Sequence, residues 1–369
     1  NTLDGLKSLI KAESRRQPII LHIEDAHWLD SDSAAFLERL TQDVDDFPIA
    51  LVITMRPDPA SSPFGERQKR LELALACESI DLEQMSLDDL ALLASHLLNA
   101  PVAPSLVAEL DARAEGNPFF AEQIVLYLKE QGLVQLDATG TASVSLLPDQ
   151  LLPTDVQALL VARIDRLTAE VKEAVQTAAV IGREFEGEML SLMLRADTEW
   201  SSWVRQAEET SIWSQLSELR YVFKHVLLQS AAYEMLVRSR RQELHRLAAE
   251  VIETLFAAGL APHYTALAYH HEQAGAAESA AQYLEKAGHA AADSYQNSQA
   301  IDSFGRALAL LQDPTRLLAL LLAREVVYDR LGNREAQAED LGQAHALATE
   351  LGDLGQLATV ALRRASLAS

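Results

Sequence analysis

Along residues 1–17, Leu3, Leu6, Leu9 and Ile10 fall on one face of a 3.6-residue period, which predicts an amphipathic helix. A short, mainly apolar run follows, Ile19 to Ile23, bounded by Pro18. Such a run predicts a strand buried on both faces of a parallel sheet. Ala34, Phe36, Leu37 and Leu40 then mark a second helix, with Ser31 or Ser33 as its cap. A second apolar run, Pro48 to Met55, ends at Arg56-Pro57. Strand, helix and strand in this order predict a parallel βαβ unit. Residues 57–66 hold three prolines and a glycine and read as a loop. Residues 67–76 read as helix and Ser79-Ile-Asp-Leu82 as a short strand.

From Leu87 the period is helical throughout. Leu87, Leu90, Leu93, Leu97 and Leu98 share a face, and Pro104 opens a further helix that runs to Gly116. Asn117 stands as an N-cap with Pro118 at the first helical position. Residues 135–150 are polar and read as a hairpin or loop between subdomains. In 154–240, helical stripes precede a short β-prone run, Tyr221 to His225, which predicts a winged helix. Beyond Arg241, two segments superpose: Ala280-x3-Leu284-x2-Ala287 and Ala300-x3-Phe304-x2-Ala307. That is tetratricopeptide-like spacing, in which small residues let helices approach closely. The offset of 20 residues predicts the paired helices of one repeat rather than equivalent helices of two. Leu331-Gly-Asn333 and Leu351-Gly-Asp353 add turns of one kind. The expected fold is mostly α with an N-terminal α/β portion: a partial P-loop-type parallel sheet over 1–85, a helical subdomain over 86–134, a winged helix over 150–240 and an α-solenoid over 241–369.

Composition narrows the function. With 369 residues and 49% apolar content the chain has ample material for several cores. Its formal net charge of -23 disfavours broad contact with nucleic-acid phosphates, so no direct nucleic-acid partner is expected. The single cysteine, Cys77, excludes an intrachain disulfide and suits a reducing compartment, so the cytoplasm is expected. No run approaches a membrane span. A start at Asn1 without methionine and an end inside a helical pattern suggest a piece of a longer protein.

The chemistry concentrates where the first strand ends. Glu24 and Asp25 follow the apolar run at the C-terminal edge of the expected sheet, where open α/β folds bind ligands. Paired acids there suit a Mg²⁺ ligand and a residue that polarises an attacking water. Their plain alternative is a solvated strand end. Arg56 closes the next strand, where a guanidinium would sense a γ-phosphate. Its plain alternative is a surface ion pair worth about 0–1 kcal/mol. No Gly-x4-Gly-Lys-Ser/Thr occurs, so the phosphate cradle would lie upstream of residue 1. No histidine or cysteine spacing suggests a metal site made of protein ligands alone. No cyclase, kinase or helix-turn-helix output motif is present.

Ile-Glu-Asp-Ala-His-Trp-Leu-Asp, then Thr-Met-Arg-Pro, then Glu-Gly-Asn-Pro-Phe-Phe-Ala-Glu resemble the signal-transduction ATPases called STAND NTPases. The likeness is to the bacterial branch found beside LuxR-type DNA-binding domains, class III adenylate/guanylate cyclases and protein kinases. The stretch Phe223-x-His225-x3-Gln229-x3-Tyr233, then Arg241-x3-His245, extends it. The resemblance implies ATP and Mg²⁺ as cofactors. It assigns Glu24 and Asp25 to Mg²⁺ and water, Arg56 to sensing, and Gly116, Asn117 and Pro118 to a turn near the nucleotide base. Glu-Asp stands where Asp-Asp or Asp-Glu is commoner, which implies slow turnover. It further implies a regulatory switch with a protein or small-molecule effector on the repeats and a nucleotide-dependent oligomer. The rival is a helical interaction scaffold carrying a degenerate ATPase remnant. A DNA-binding role for the winged helix is disfavoured by the charge.

Overall fold

The computed structural model describes residues 2–29, 31–41, 46–56, 78–144, 155–195 and 200–368. The chain divides into two units, Asn1–Glu83 and Gln84–Ser369, and each is described by itself. The helix expected over 67–76 lies outside the described residues.

In the first unit, helix α1 (Thr2–Ser14) precedes strand β1 (Ile19–Ile23). A single 3₁₀ turn, Ala26–Trp28, and helix α2 (Ser31–Thr41) lead to strand β2 (Ile49–Ile53). The two strands pair in parallel, Ile19 opposite Ile49 and Ile23 opposite Ile53. Helices α1 and α2 pack on each other, and Leu37 and Leu40 are buried. Burial of the strands departs from expectation. Ile19, Leu21 and Ile23 are half-buried, but Ile20 is 74% exposed and Val52 lies open beside it. A continuous apolar run signals two covered faces only where something packs on both. Here one face is bare.

The second unit begins with a helical group. Ser86 caps α3 (Leu87–Leu98) in a reciprocal capping box with Asp89. Next come α4 (Pro104–Ala114) and α5 (Pro118–Glu130), packed around Leu90, Leu110, Ile124 and Leu128. A hairpin follows, β3 (Val134–Leu136) against β4 (Ala142–Val144). Residues 79–82, expected as a strand, form no ladder. An apolar stretch becomes a strand only with a partner edge, and Met85 instead donates its N–H to the carbonyl of Gly116, 2.9 Å away.

Then come α6 (Val156–Asp165), α7 (Ala169–Ile181), β5 (Glu184–Glu186), α8 (Gly187–Leu194), α9 (Trp200–Glu209), β6 (Trp213–Ser217) and β7 (Arg220–Phe223). The three strands form one antiparallel sheet in the order β5–β7–β6, the topology of a winged helix. Its core holds Phe185, Trp213 and Phe223 in edge-on and tilted contacts. The Trp213 indole donates to the carbonyl of Val204 at 3.0 Å.

Two helices lead out, α10 (Val226–Glu234) and α11 (Arg238–Leu255). The array continues through α12 (Tyr264–Gln273), α13 (Ala277–Asp293), α14 (Asn297–Leu310), α15 (Pro314–Leu331), α16 (Arg334–Leu351) and α17 (Leu354–Ala368), each packed on the next. This is a helical solenoid. The superposable segments sit on α13 and α14, two consecutive helices. Gly288 shows why small residues recur: a Cβ there would lie 2.5 Å from the Phe304 ring. One apolar core runs from Val180 and Met189 in the winged helix through Leu244 and Leu284 to Phe304. Among the described residues no helix is long and apolar enough to cross a membrane.

Candidate functional site

One candidate cluster sits at the C-terminal end of the parallel pair, within the first unit. The ladder extends past the strands, because Thr54 donates to the carbonyl of Ile23 and Ala26 donates to that of Thr54, both at 2.9 Å. Between these bonds the chain must turn sharply, and Asp25 takes a left-handed conformation, φ 50°. That geometry costs a non-glycine residue about 1–3 kcal/mol, with Asp among the residues that tolerate it best. It lifts Glu24 and Asp25 off the sheet. Both are exposed, and neither carboxylate has a hydrogen bond or ion pair among the described residues.

Arg56 ends the adjacent strand at the same edge and is also exposed. Its guanidinium forms no ion pair with either acid. Its backbone N–H instead meets Nδ1 of His27 at 3.4 Å, which pins the 3₁₀ turn to the end of β2. Trp28 closes the turn, 81% exposed, its ring edge-on to His27 at 5.8 Å. The sheet thus brings Glu24, Asp25 and Arg56 to one edge, where none of the three side chains pairs with another described residue.

Could these acids hold Mg²⁺? That ion keeps a near-octahedral oxygen shell, takes most of it from water and phosphate, and asks the protein for one or two carboxylates. Two unpartnered surface carboxylates fit that demand. Among the described residues no group of three or more His, Cys, Asp or Glu could hold a metal. Phosphate oxygens and water would therefore have to complete the shell.

A separate candidate cluster lies within the second unit. Glu115 ends α4 in a left-handed conformation, and Gly116 follows at φ 71°. Gly116 is buried, and a Cβ there would lie 2.5 Å from the Cβ of Gln84. The glycine is therefore required by close approach of the chain's own backbone. Asn117 accepts from the N–H of Phe120 at 3.1 Å, and Pro118 opens α5. Asn117 and Pro118 are exposed, so a ligand could reach them.

The motif stretches also contain residues with structural partners. Phe119, one step past Pro118, stacks on His225, ring centroids 3.8 Å apart. His225 caps α10, its Nδ1 accepting from the N–H of Leu227 at 3.1 Å. That bond requires the neutral ring, protonated on Nε2. Burial, then the charge of Arg183, lowers its pKa below the usual histidine value. Arg163 is buried and donates to Glu130, to Gln123 and to the carbonyl of Thr210, which ties α5 to the winged helix.

Where α10 meets the repeats, Tyr233 bonds Nε2 of His245 at 2.9 Å, and Nδ1 of His245 faces Nδ1 of His270 at 2.9 Å. Both imidazoles are buried. Burial pushes the pKa of His245 down to about 4, helped by Arg241, and that of His270 down to about 3, helped by His245 and His271. The motif named Tyr233 and His245, and the sequence carried a second signal. His245 lies within the buried stripe Leu244, Ala248, Ala249 and Ile252, where a polar group has to find a partner.

No protein-family model matches the chain. An uncharacterized protein of Rhizobium meliloti (strain 1021) is 27% identical over 290 residues, covering 77% of this chain. The chain spans 27% of that relative's length. Among solved structures, a Signal Transduction ATPase with Numerous Domains (STAND) protein with a tetratricopeptide repeat sensor, from Pyrococcus horikoshii, is similar at 12% identity and a TM-score of 0.43. That similarity covers 98% of this chain and 67% of the other.

Proposed function

We propose that the chain is part of an ATP-dependent regulatory switch, in which Mg²⁺-ATP at the sheet edge is coupled to an effector on the helical repeats. The observation that carries this reading is the shared edge: two carboxylates, Glu24 and Asp25, and one guanidinium, Arg56, exposed together and without ion pairs among the described residues. Exposed charges are commonly solvated, so it is their convergence at one sheet edge that supports a ligand there. The motif resemblance of residues 23–30, 54–57 and 115–122 supports the same reading. Glu24 and Asp25 would hold Mg²⁺ and orient water, and Arg56 would contact the γ-phosphate. Gly116, Asn117 and Pro118 would shape the turn beside the base. The phosphate cradle would come from a segment outside residues 1–369, so the chain alone should show no micromolar affinity for ATP by calorimetry.

The test uses the full-length protein. Asp25→Asn should abolish ATP turnover and nucleotide-dependent signalling, and wild-type values for both would sink the assignment. Further proposals follow the same reading: an oligomer that forms with nucleotide, a cytoplasmic location, and an output domain of the LuxR, cyclase or kinase kind.

A specific observation favours the second reading, a repeat scaffold with an inert ATPase remnant. Gly116 is fully accounted for by its approach to Gln84 and Met85 and needs no nucleotide to explain it. If the full-length protein binds no ATP analogue while its repeats still capture an effector, the scaffold reading stands.

A further inference from the structure

His225, Gln229 and Tyr233 stand four residues apart, one helical turn each, from the N-cap of α10 to its last turn. Each meets a different element. At the start of α10 the His225 ring stacks on Phe119 in the first turn of α5, with the planes 18° apart. In the middle the Gln229 amide donates to the carbonyl of Ala179 at 2.8 Å. That carbonyl belongs to the last turn of α7, where a helix has no donor of its own to offer. At the far end the Tyr233 hydroxyl bonds Nε2 of His245 on α11, whose Nδ1 reaches His270 on α12. Arg241 closes this end. Its guanidinium lies 5.1 Å from the centre of the Tyr233 ring, and its Nε donates to the carbonyl of Leu236 at 3.0 Å.

These are the residues of the stretch Phe223-x-His225-x3-Gln229-x3-Tyr233 and Arg241-x3-His245, which the nucleotide reading leaves without a task. Phe223 is accounted for by burial among Phe185 and Trp213. The other five make one line of contacts. Ordinary packing does not require it, because α10 has an apolar face as well: Leu228, Ala231 and Ala232 are buried in the core of the winged helix. The polar line is additional to that face and reaches beyond the winged helix at both ends, to α5 and to α11. Hydrogen bonds are directional, so they fix the register of α10 against its neighbours where apolar contacts alone would allow small slides.

We propose that α10 is a coupling strut and that His225, Gln229 and Tyr233 are positioning residues, through which α11 and α12 set the Asn117–Pro118 turn beside Phe119. A displacement of α11 or α12 is then felt at the turn. A ligand on the turn is felt equally at the first repeat helices, because coupling free energy is reciprocal. The inference rests on the nucleotide reading only for what occupies the turn; the strut itself needs no nucleotide.

The test is amide hydrogen exchange on residues 1–369 without nucleotide. Two N–H groups report on the turn: that of Phe120, bonded to Asn117 Oδ1, and that of Ala121, bonded to the Asn117 carbonyl at 3.0 Å. Tyr233→Phe deletes one hydrogen bond at the far end of α10 and should speed exchange of both at least about threefold. Tyr283→Phe is the control. It also deletes one hydrogen bond, to Glu253 of α11, but lies off the strut. It should leave both amides within about 1.5-fold of wild type, whereas a general loss of stability would speed them in both variants. Gln229→Leu cuts the middle of the strut and should speed both amides by itself. Adding Tyr233→Phe to it should then change them by less than about 1.5-fold, since the path is already broken. Unchanged exchange in Tyr233→Phe, equal acceleration in Tyr283→Phe, or full additivity in the double variant would overturn the proposal. Because ATP is absent throughout, such a failure leaves the nucleotide reading untouched. A failed turnover assay likewise leaves the strut standing.

Discussion

Glu24 and Asp25 stand exposed with no partner among the described residues, on a turn in which Asp25 takes a left-handed conformation. Arg163, His245 and His270 are buried, and each is hydrogen-bonded within the chain. Both groups are polar residues of a largely apolar fold, yet their energetics are opposite. The first group contributes nothing to folding that solvent would not supply, and it strains Asp25. The second is desolvated, so each member is stabilising only while its partners remain. Satisfied polar clusters hold helices in register; unsatisfied exposed ones wait for something outside the chain.

The largest effect expected from this contrast is at Arg163. Arg163→Ala removes the cation that Glu130 and Gln123 face and frees the carbonyl of Thr210. The guanidinium is buried but Glu130 is partly exposed, so the loss should be about 3 kcal/mol, the low end for a buried pair. Urea denaturation should show a loss of that size. A loss below about 1 kcal/mol, the range of surface pairs, would erase the contrast on its buried side.

Gly116→Ala should come next. It places a Cβ 2.5 Å from that of Gln84 and demands φ 71° of a residue that disfavours it. About 1–3 kcal/mol of destabilisation follows from the strain, measurable by thermal melting. If the variant melts like wild type, the turn does not need its glycine for folding. The nucleotide reading of Gly116 then gains weight.

Tyr233→Phe should cost about 1 kcal/mol, one hydrogen bond to His245. The same cluster sets a pH dependence. Unfolded, both imidazoles titrate near 6.5; folded, they resist protonation to about 4 and about 3. Between those values the unfolded chain binds more protons. Stability from this pair is therefore complete above about pH 6.5 and is lost as pH falls toward 4 and then 3. Denaturation midpoints at pH 7.5 and pH 5 should show the wild type weaker at pH 5. His270→Leu, which removes one titrating ring, should show a smaller difference between the two.

Much of the helical order was legible because its signals are local. Asn117 caps its helix, Gly332 and Gly352 end theirs, and Ala280, Leu284 and Ala287 fall in the buried stripe of α13. The parallel pair was legible from two apolar runs. What stayed hidden depends on distant partners. Nothing near Ile20 distinguishes it from Ile19, although one is open and the other half-buried. Phe119 and His225 meet across more than a hundred residues. Arg163 looks like any helical arginine until α5 closes on it. At the sheet edge the acids and Arg56 were legible as a pattern. Their lack of partners was not, because a sequence does not say which charges will find one another.

The smallest effect on folding should be at the acids themselves, and that is where the contrast is sharpest. Asp25→Asn keeps a residue that tolerates the left-handed turn and removes a charge that touches nothing. Stability should stay within about 0.5 kcal/mol of wild type, as for surface changes away from special features. Glu24→Gln should behave likewise. A loss of about 2 kcal/mol in either variant would mean that the carboxylate has a structural partner, and the ligand-facing reading of the edge would fail before any nucleotide was added. With stability unchanged, lost ATP turnover in the full-length Asp25→Asn protein can be charged to chemistry rather than to unfolding. The unpartnered state of these acids is therefore what makes the functional test clean.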